Sequence, residues 1–229
     1  KTGRAIYISD RFNHRVLRIK NYDDVGKSKL FVDMVIGQPD KESIKCNHNQ
    51  EMPWTASGTP TASSLCSPYS VKFDNLGNLY VIENTYECHG NNRITVFLKE
   101  DLENSQGLFP MISAKKVFNA GSLNEKGPCA YDIVNKPGSP VSLDFNSKNE
   151  MIIGNDGYYG NGEERPYRQL WIYRQPLSRQ EPDASINIPL GAAGEIIFDD
   201  DDNLIVQDHT WGRTVAINID KDASWIVPV

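Results

Sequence analysis

One strand–turn–strand unit recurs four times in this chain, and that recurrence limits the fold more than any single motif does. The copies are AIYISDRFNHRVLRI from Ala5, NLYVIENTYECHGNNRITVF from Asn78, EMIIGNDGYYGNGEERPYRQLWIY from Glu150 and NLIVQDHTWGRTVAINI from Asn203. Each opens with three mostly apolar residues and reaches a polar position: Asp10, Glu83, Asn155 or Asp208. Each then crosses turn residues rich in Gly and Asn. It closes on an arginine (Arg15, Arg93, Arg168 or Arg213) that leads an apolar run of strand character.

Three copies carry a further strand in front: SPYSVKFDNLGN (67–78), SPVSLDFNSKNE (139–150) and AGEIIFDDDDN (193–203). Phe73, Phe145 and Phe198 align, each followed by Asn, Asp or Gly, which is a hairpin signal. A fourth β-like run follows each unit: KLFVDMVIG, AKKVFNAG, ASINIPLG and SWIVPV. The expected units span about 1–38, 66–122, 139–190 and 193–229, with a long connection at 39–65. The first lacks its leading strand. Repeated four-stranded meanders predict an all-β fold, a β-propeller of antiparallel blades. Stacking blades covers both faces of each sheet, which one sheet alone cannot do. A β-sandwich would not repeat the arginine at one position of every unit.

Composition narrows the function classes. With 229 residues and 39% apolar content there is material for one large all-β domain. No apolar run approaches the ~18 residues that span a bilayer. A net charge of −6, with both signs mixed along the chain, argues against nucleic acid and anionic membranes as main partners. The sequence begins at Lys1 with no signal peptide. The expectation is a processed or trimmed chain, or a protein that never carried one.

The segments DRFNHRV and GNNRI resemble the D-x-x-N-x-R-V core of NHL repeats. FVDMVIGQPD, followed by SPYSVKFDNLGNLYV, resembles the bacterial variety, in which an outer strand ends in a GQPD-type turn before a Pro-led inner strand. The resemblance implies that VIGQPD is the exit from one blade toward the next. It also implies about six blades. Four units would then be part of a larger propeller, or a chain completed by another segment or subunit; a closed four-bladed ring is the alternative.

The four cysteines, Cys46, Cys66, Cys88 and Cys129, all fall in predicted loops on one face. An even count in loops predicts two disulfides and an oxidising compartment: extracellular, cell-surface or periplasmic. Four cysteines allow three pairings; Cys46–Cys66 and Cys88–Cys129 are favoured because each joins neighbouring loops, and four free thiols are the alternative. His48, His89 and His209 lie in three loops of the same rim. They could supply an open zinc site, as loop histidines do in the amidating lyases that the resemblance brings in. Solvated loop histidines are the plainer reading, and His14 belongs to the repeat core. Asp10, Glu83 and Asp208 offer hard oxygen ligands for calcium, as in lactonase-like propellers. In NHL-type repeats the same position pairs with the repeat arginine instead. The Asp199–Asp202 run reads as a solvated hairpin tip.

Aromatic residues complete the candidate face: Trp54, Tyr158, Tyr159, Tyr167 and Trp211. Rigid rings in Gly- and Asn-rich loops suit peptide, protein or carbohydrate binding, although they also pack loops down. The favoured function is an extracytoplasmic propeller scaffold that binds such a partner, or builds an assembly, through its loop face. The alternative is a metal-dependent lyase or hydrolase of the amidating-lyase or lactonase-like type, with zinc or calcium as cofactor.

Overall fold

The segment IYISD, alternating in side-chain direction, forms strand β1 (Ile6–Asp10), and the turn at Arg11–Asn13 returns it as β2 (Arg15–Ile19). His14 completes that turn in the left-handed region, with φ of 53°. β3 (Val32–Ile36) pairs with β2 and finishes a three-stranded antiparallel sheet. The computed structural model describes residues 5–20, 31–48, 58–84, 90–128, 139–155, 170–186, 190, 193–209, 211–220 and 226–228.

The second sheet runs β4 (Pro68–Phe73), β5 (Leu79–Glu83), β6 (Arg93–Phe97) and β7 (Lys116–Phe118), each strand beside the next. The third begins β8 (Pro140–Phe145), β9 (Met151–Asn155), β10 (Leu170–Tyr173) and β11 (Ala184–Ile186). The fourth comprises β12 (Ala193–Phe198), β13 (Asn203–Asp208) and β14 (Arg213–Asn218). The leading strands lie side by side, β4 against β8 and β8 against β12, with β1 against β4. Successive meanders packed in this way are the blades of a β-propeller.

Side-chain alternation explains the stacking. In β5, Leu79 and Val81 belong to a core shared with the first sheet, while Tyr80 and Ile82 belong to one shared with the third. In β9, Met151 and Ile153 face back toward the second sheet and Ile152 faces forward to the fourth. In β13, Leu204 and Val206 face back. Each interior blade is therefore apolar on both faces and covered on both.

The hairpins that join leading and second strands share one turn geometry. Asp74, Asn146 and Asp199 each accept two backbone N–H bonds through Oδ1, from the residues two and four positions on. The second blade's turn bonds to the third's, and the third's to the fourth's. The Asn75 N–H donates to Asn149 Oδ1 at 2.8 Å, and the Ser147 N–H donates to Asp202 Oδ1 at 2.8 Å. Lys72 bridges three leading strands, with Nζ 3.7 Å from Asp144 and 3.5 Å from Glu195.

Two features depart from the sequence reading. SWIVPV was expected to close the fourth unit, yet β15 (Ile226–Pro228) pairs antiparallel with β11 and adds a fifth strand to the third sheet. β11 is buried throughout, so its outer edge needs backbone partners; most of β14 is half-buried or exposed, and water can serve its edge. A short helix α1 (Lys99–Asn104) follows β6, where no helix was foreseen. Asn78 Oδ1 accepts the Lys99 N–H at 3.0 Å, and Leu102 is buried against the core between sheets one and two.

Ile8 and Ile153 do not occupy the same environment although both sit on second strands: Ile8 is 42% exposed and Ile153 fully buried. Ile153→Ala is expected to cost about 2–5 kcal/mol of unfolding free energy. Ile8→Ala should stay within about 0.5 kcal/mol. Urea titration of the two variants measures both; equal costs would mean that the face of β1 is covered.

Candidate functional site

The blade connections and the turns after each second strand emerge at one end of the sheets, where Asp10, Glu83 and Asp208 stand. The chemistry there is layered. At the base, each carboxylate pairs with the arginine opposite it in register. Asp10–Arg15 lies at 2.8 Å, Glu83–Arg93 at 2.8 Å and Asp208–Arg213 at 3.2 Å. Asn13 adds its amide to Asp10 at 2.9 Å, so the fourth and sixth residues of DRFNHR close on the carboxylate of the first.

The Glu83–Arg93 pair is fully buried and carries further hydrogen bonds on both partners. Glu83 Oε2 accepts the Cys66 N–H at 2.9 Å and the Asn91 amide at 2.6 Å. Arg93 donates to the carbonyls of Thr61 and Ser64, both at 3.1 Å, and to that of Leu123. Asn47 and Asn91 exchange amide bonds at 2.9 Å. A buried ion pair of this kind is tolerable because both carboxylate oxygens and all three guanidinium nitrogens find partners. Thr61, Ser64 and Cys66 bring the end of the long connection into this set and tie it down over the second blade.

The Cys46–Cys66 disulfide closes that connection, as the loop positions led one to expect. The GQPD turn is its other anchor. Gly37 has φ of +98°, and a Cβ there would meet the Leu65 side chain at 2.7 Å, so glycine is required by conformation and by space. The buried Gln38 amide donates to the carbonyls of His14 at 3.1 Å and Lys45 at 3.0 Å.

The histidines divide. His14 is buried, and its Nδ1 accepts the Ser67 N–H at 2.9 Å, which fixes the proton on Nε2. Burial holds its pKa below the usual histidine value. His48 Nε2 lies 2.9 Å from the Gly37 carbonyl, so that nitrogen donates. His209 is exposed in the turn after β13, and His89 lies outside the described residues. Among the described residues no group of three His, Cys, Asp or Glu side chains is placed to hold a metal ion.

Above this layer sit exposed aromatic rings beside arginines. Trp211 is 53% exposed, with the Arg213 guanidinium 4.5 Å from its ring centre. Phe12 is 69% exposed, and Arg11 lies 5.8 Å from its ring and 4.9 Å from that of Tyr69. Arg11 is held by its Nε–H bond to Ser67 Oγ at 3.0 Å. The sequence reading named Trp211 but passed over Phe12, Tyr69 and Arg11. Phe12 sits in the same turn of its blade as Trp211 does in its own, so the repeat alignment held that signal. Trp54, Tyr158, Tyr159, Tyr167, Arg168, Cys88 and Cys129 lie outside the described residues.

No protein-family model matches this chain. No curated protein matches it. Among solved structures, the chain is similar to a catalytically inactive variant of virginiamycin B lyase from Staphylococcus aureus, solved with quinupristin. The identity is 14% and the TM-score 0.44. The match covers 94% of this chain and 52% of that one, so this chain spans about half the lyase's length. A likeness of that degree assigns no activity.

Two consequences follow from the buried layer. Arg93→Met strands Glu83 without its cation and is expected to cost about 3–5 kcal/mol, whereas Arg15→Met, at a partly exposed pair, should cost about 1 kcal/mol or less. Urea midpoints of the two variants separate these outcomes. His14 stays neutral in the folded protein below the pH at which the unfolded chain protonates it, near 6.5. Its contribution is present in full above about pH 6.5 and is lost as pH falls toward its lowered folded value. Unfolding free energy measured from pH 8 to 5 should therefore decline more steeply in wild type than in His14→Asn.

Proposed function

We propose that this chain is an arc of an NHL-type propeller that acts as an extracytoplasmic scaffold, binding a peptide or protein partner through its loop face. One observation carries the reading: the pairing of exposed aromatic rings with arginines at Arg11–Phe12–Tyr69 and Trp211–Arg213. These rings stand above carboxylates that are already paired with the repeat arginines. Such pairs offer rigid apolar contact area beside a cation, which suits a partner with apolar groups flanked by carboxylates. Trp54, Tyr158, Tyr159 and Tyr167 would extend the same surface. A carbohydrate partner would use the rings alone and would not depend on the arginines.

The NHL-type assignment is supported by the Asp10–Asn13–Arg15 bonds, which give each polar residue of D-x-x-N-x-R a partner. A second disulfide, Cys88–Cys129, is supported by the neighbouring Gly127 N–H, which donates to the Asn91 carbonyl at 2.7 Å and brings the two segments together. Two disulfides in a chain of this size suit an extracellular, cell-surface or periplasmic setting. Further blades, about two for a six-bladed ring, would cover the outer faces of the first and fourth sheets.

The test is a peptide and glycan array probed with the oxidised protein, followed by Phe12→Ala, Arg11→Ala and Trp211→Ala. Each is expected to weaken binding to an acidic, apolar peptide about tenfold or more while leaving the urea midpoint near the wild-type value. Binding unaffected by all three variants would remove this surface from the account. Peptide mapping without reductant is expected to recover Cys46–Cys66 and Cys88–Cys129 linkages.

A further inference from the structure

The second, third and fourth sheets each begin with a strand that pairs antiparallel with the next, and in every case a phenylalanine closes the register. Phe73 lies opposite Leu79, Phe145 opposite Met151 and Phe198 opposite Leu204. The first sheet has β1 in the second-strand position, and among the described residues no strand pairs with its other edge. The apolar face of β1 is uncovered there too: Ile8 is exposed and Ile6 only half-buried.

A second feature lies at the foot of that edge. An open cleft of about 300 Å³ is lined by Ala5, Tyr7, Phe73, Gly77 and Lys99. It lies beside the turn of the second blade. The turn of the second blade bonds to that of the third, and the third to the fourth. A leading hairpin in the first blade would place its turn in this cleft. The Asp74 carbonyl, equivalent to the Asn146 carbonyl that accepts the Asn75 amide at 2.9 Å, would be its acceptor.

We infer that the free edge of β1 is a docking site for one extended segment of the leading-strand type, Ser-Pro-x-x-apolar-x-Phe followed by Asp or Asn. Transferring the register of β4 on β5 fixes the fit. The phenylalanine falls opposite Ile6, the apolar residue opposite Ile8 and the proline opposite Asp10. Proline at that end is compatible with a strand start, as at Pro68 and Pro140. Main-chain bonds to β1 would supply affinity, and the alternating apolar contacts specificity. The occupant is thus a strand from a further blade of the same repeat, not a second copy's loop face.

The probe is a fluorescein-labelled peptide, SPYSVKFDN, titrated with the whole oxidised chain and read by anisotropy. Saturable binding is expected, at least fivefold tighter than for a scrambled peptide. It should be weakened by Ile8→Lys and accompanied by slowed hydrogen exchange at Ile6–Asp10. Equal binding of the scrambled peptide, or exchange slowed elsewhere but not in β1, would overturn the inference. A second measurement does not depend on weak binding in trans: the hairpin SPVSLDFNSKN fused ahead of Ala5 should raise the urea midpoint, and a scrambled fusion should not. An unchanged midpoint would overturn the inference. So would protection of β1 that rises with protein concentration alone, which would assign the edge to a second copy.

Discussion

Everything in this structure follows from a sheet that is apolar on both faces. A strand such as β5, with Leu79 and Val81 on one side and Tyr80 and Ile82 on the other, cannot leave either side in water without losing roughly 1.5–3 kcal/mol for each large side chain so exposed. The chain resolves this by repeating the same meander, so that the forward face of one blade covers the backward face of the next. Three shared cores result, one between each pair of successive sheets. The same rule leaves two surfaces over, the backward face of β1 and the forward face of the fourth sheet, where Ile197 is 42% exposed.

Polar groups are arranged to serve that stacking. At one end of the blades the hairpin turns bond sideways to one another and set the blades' relative height. At the other end carboxylate–arginine pairs fasten the second strand to the third in the first, second and fourth blades. Among the described residues the pair sealed from water is that of the second blade, and there a connection braced by Cys46–Cys66 folds down over it. Burial of the pair and ordering of the connection are one event, because the connection's own carbonyls and amides complete the ion pair's hydrogen bonds. What remains exposed above is a rigid floor with rings and arginines standing on it.

Much of this was legible in the sequence. The recurrence of the meander and the alignment of Phe73, Phe145 and Phe198 carry over into strands and registers. Turn chemistry was readable for the same reason: an Asp or Asn that begins each hairpin turn acts locally, through bonds to its own backbone. The Cys46–Cys66 linkage was readable from loop position. What failed depends on non-local burial. SWIVPV has strand character but no residue that says which sheet it joins; the buried edge of β11 decides that. KEDLEN became helical because Leu102 finds a core pocket and Asn78 caps the first turn. Phe12 was overlooked because an apolar residue in a turn reads as core until its exposure is known.

Residue-resolved hydrogen exchange under native conditions tests the stacking account most directly, since protection reports how completely each strand is covered and paired. The account predicts the slowest exchange in β5 and β9, which are covered on both faces, and exchange faster by orders of magnitude in β1 and β14 at the two ends. Protection of β1 and β14 equal to that of β5 and β9 in the isolated chain would contradict it, because the end faces would then be closed against each other.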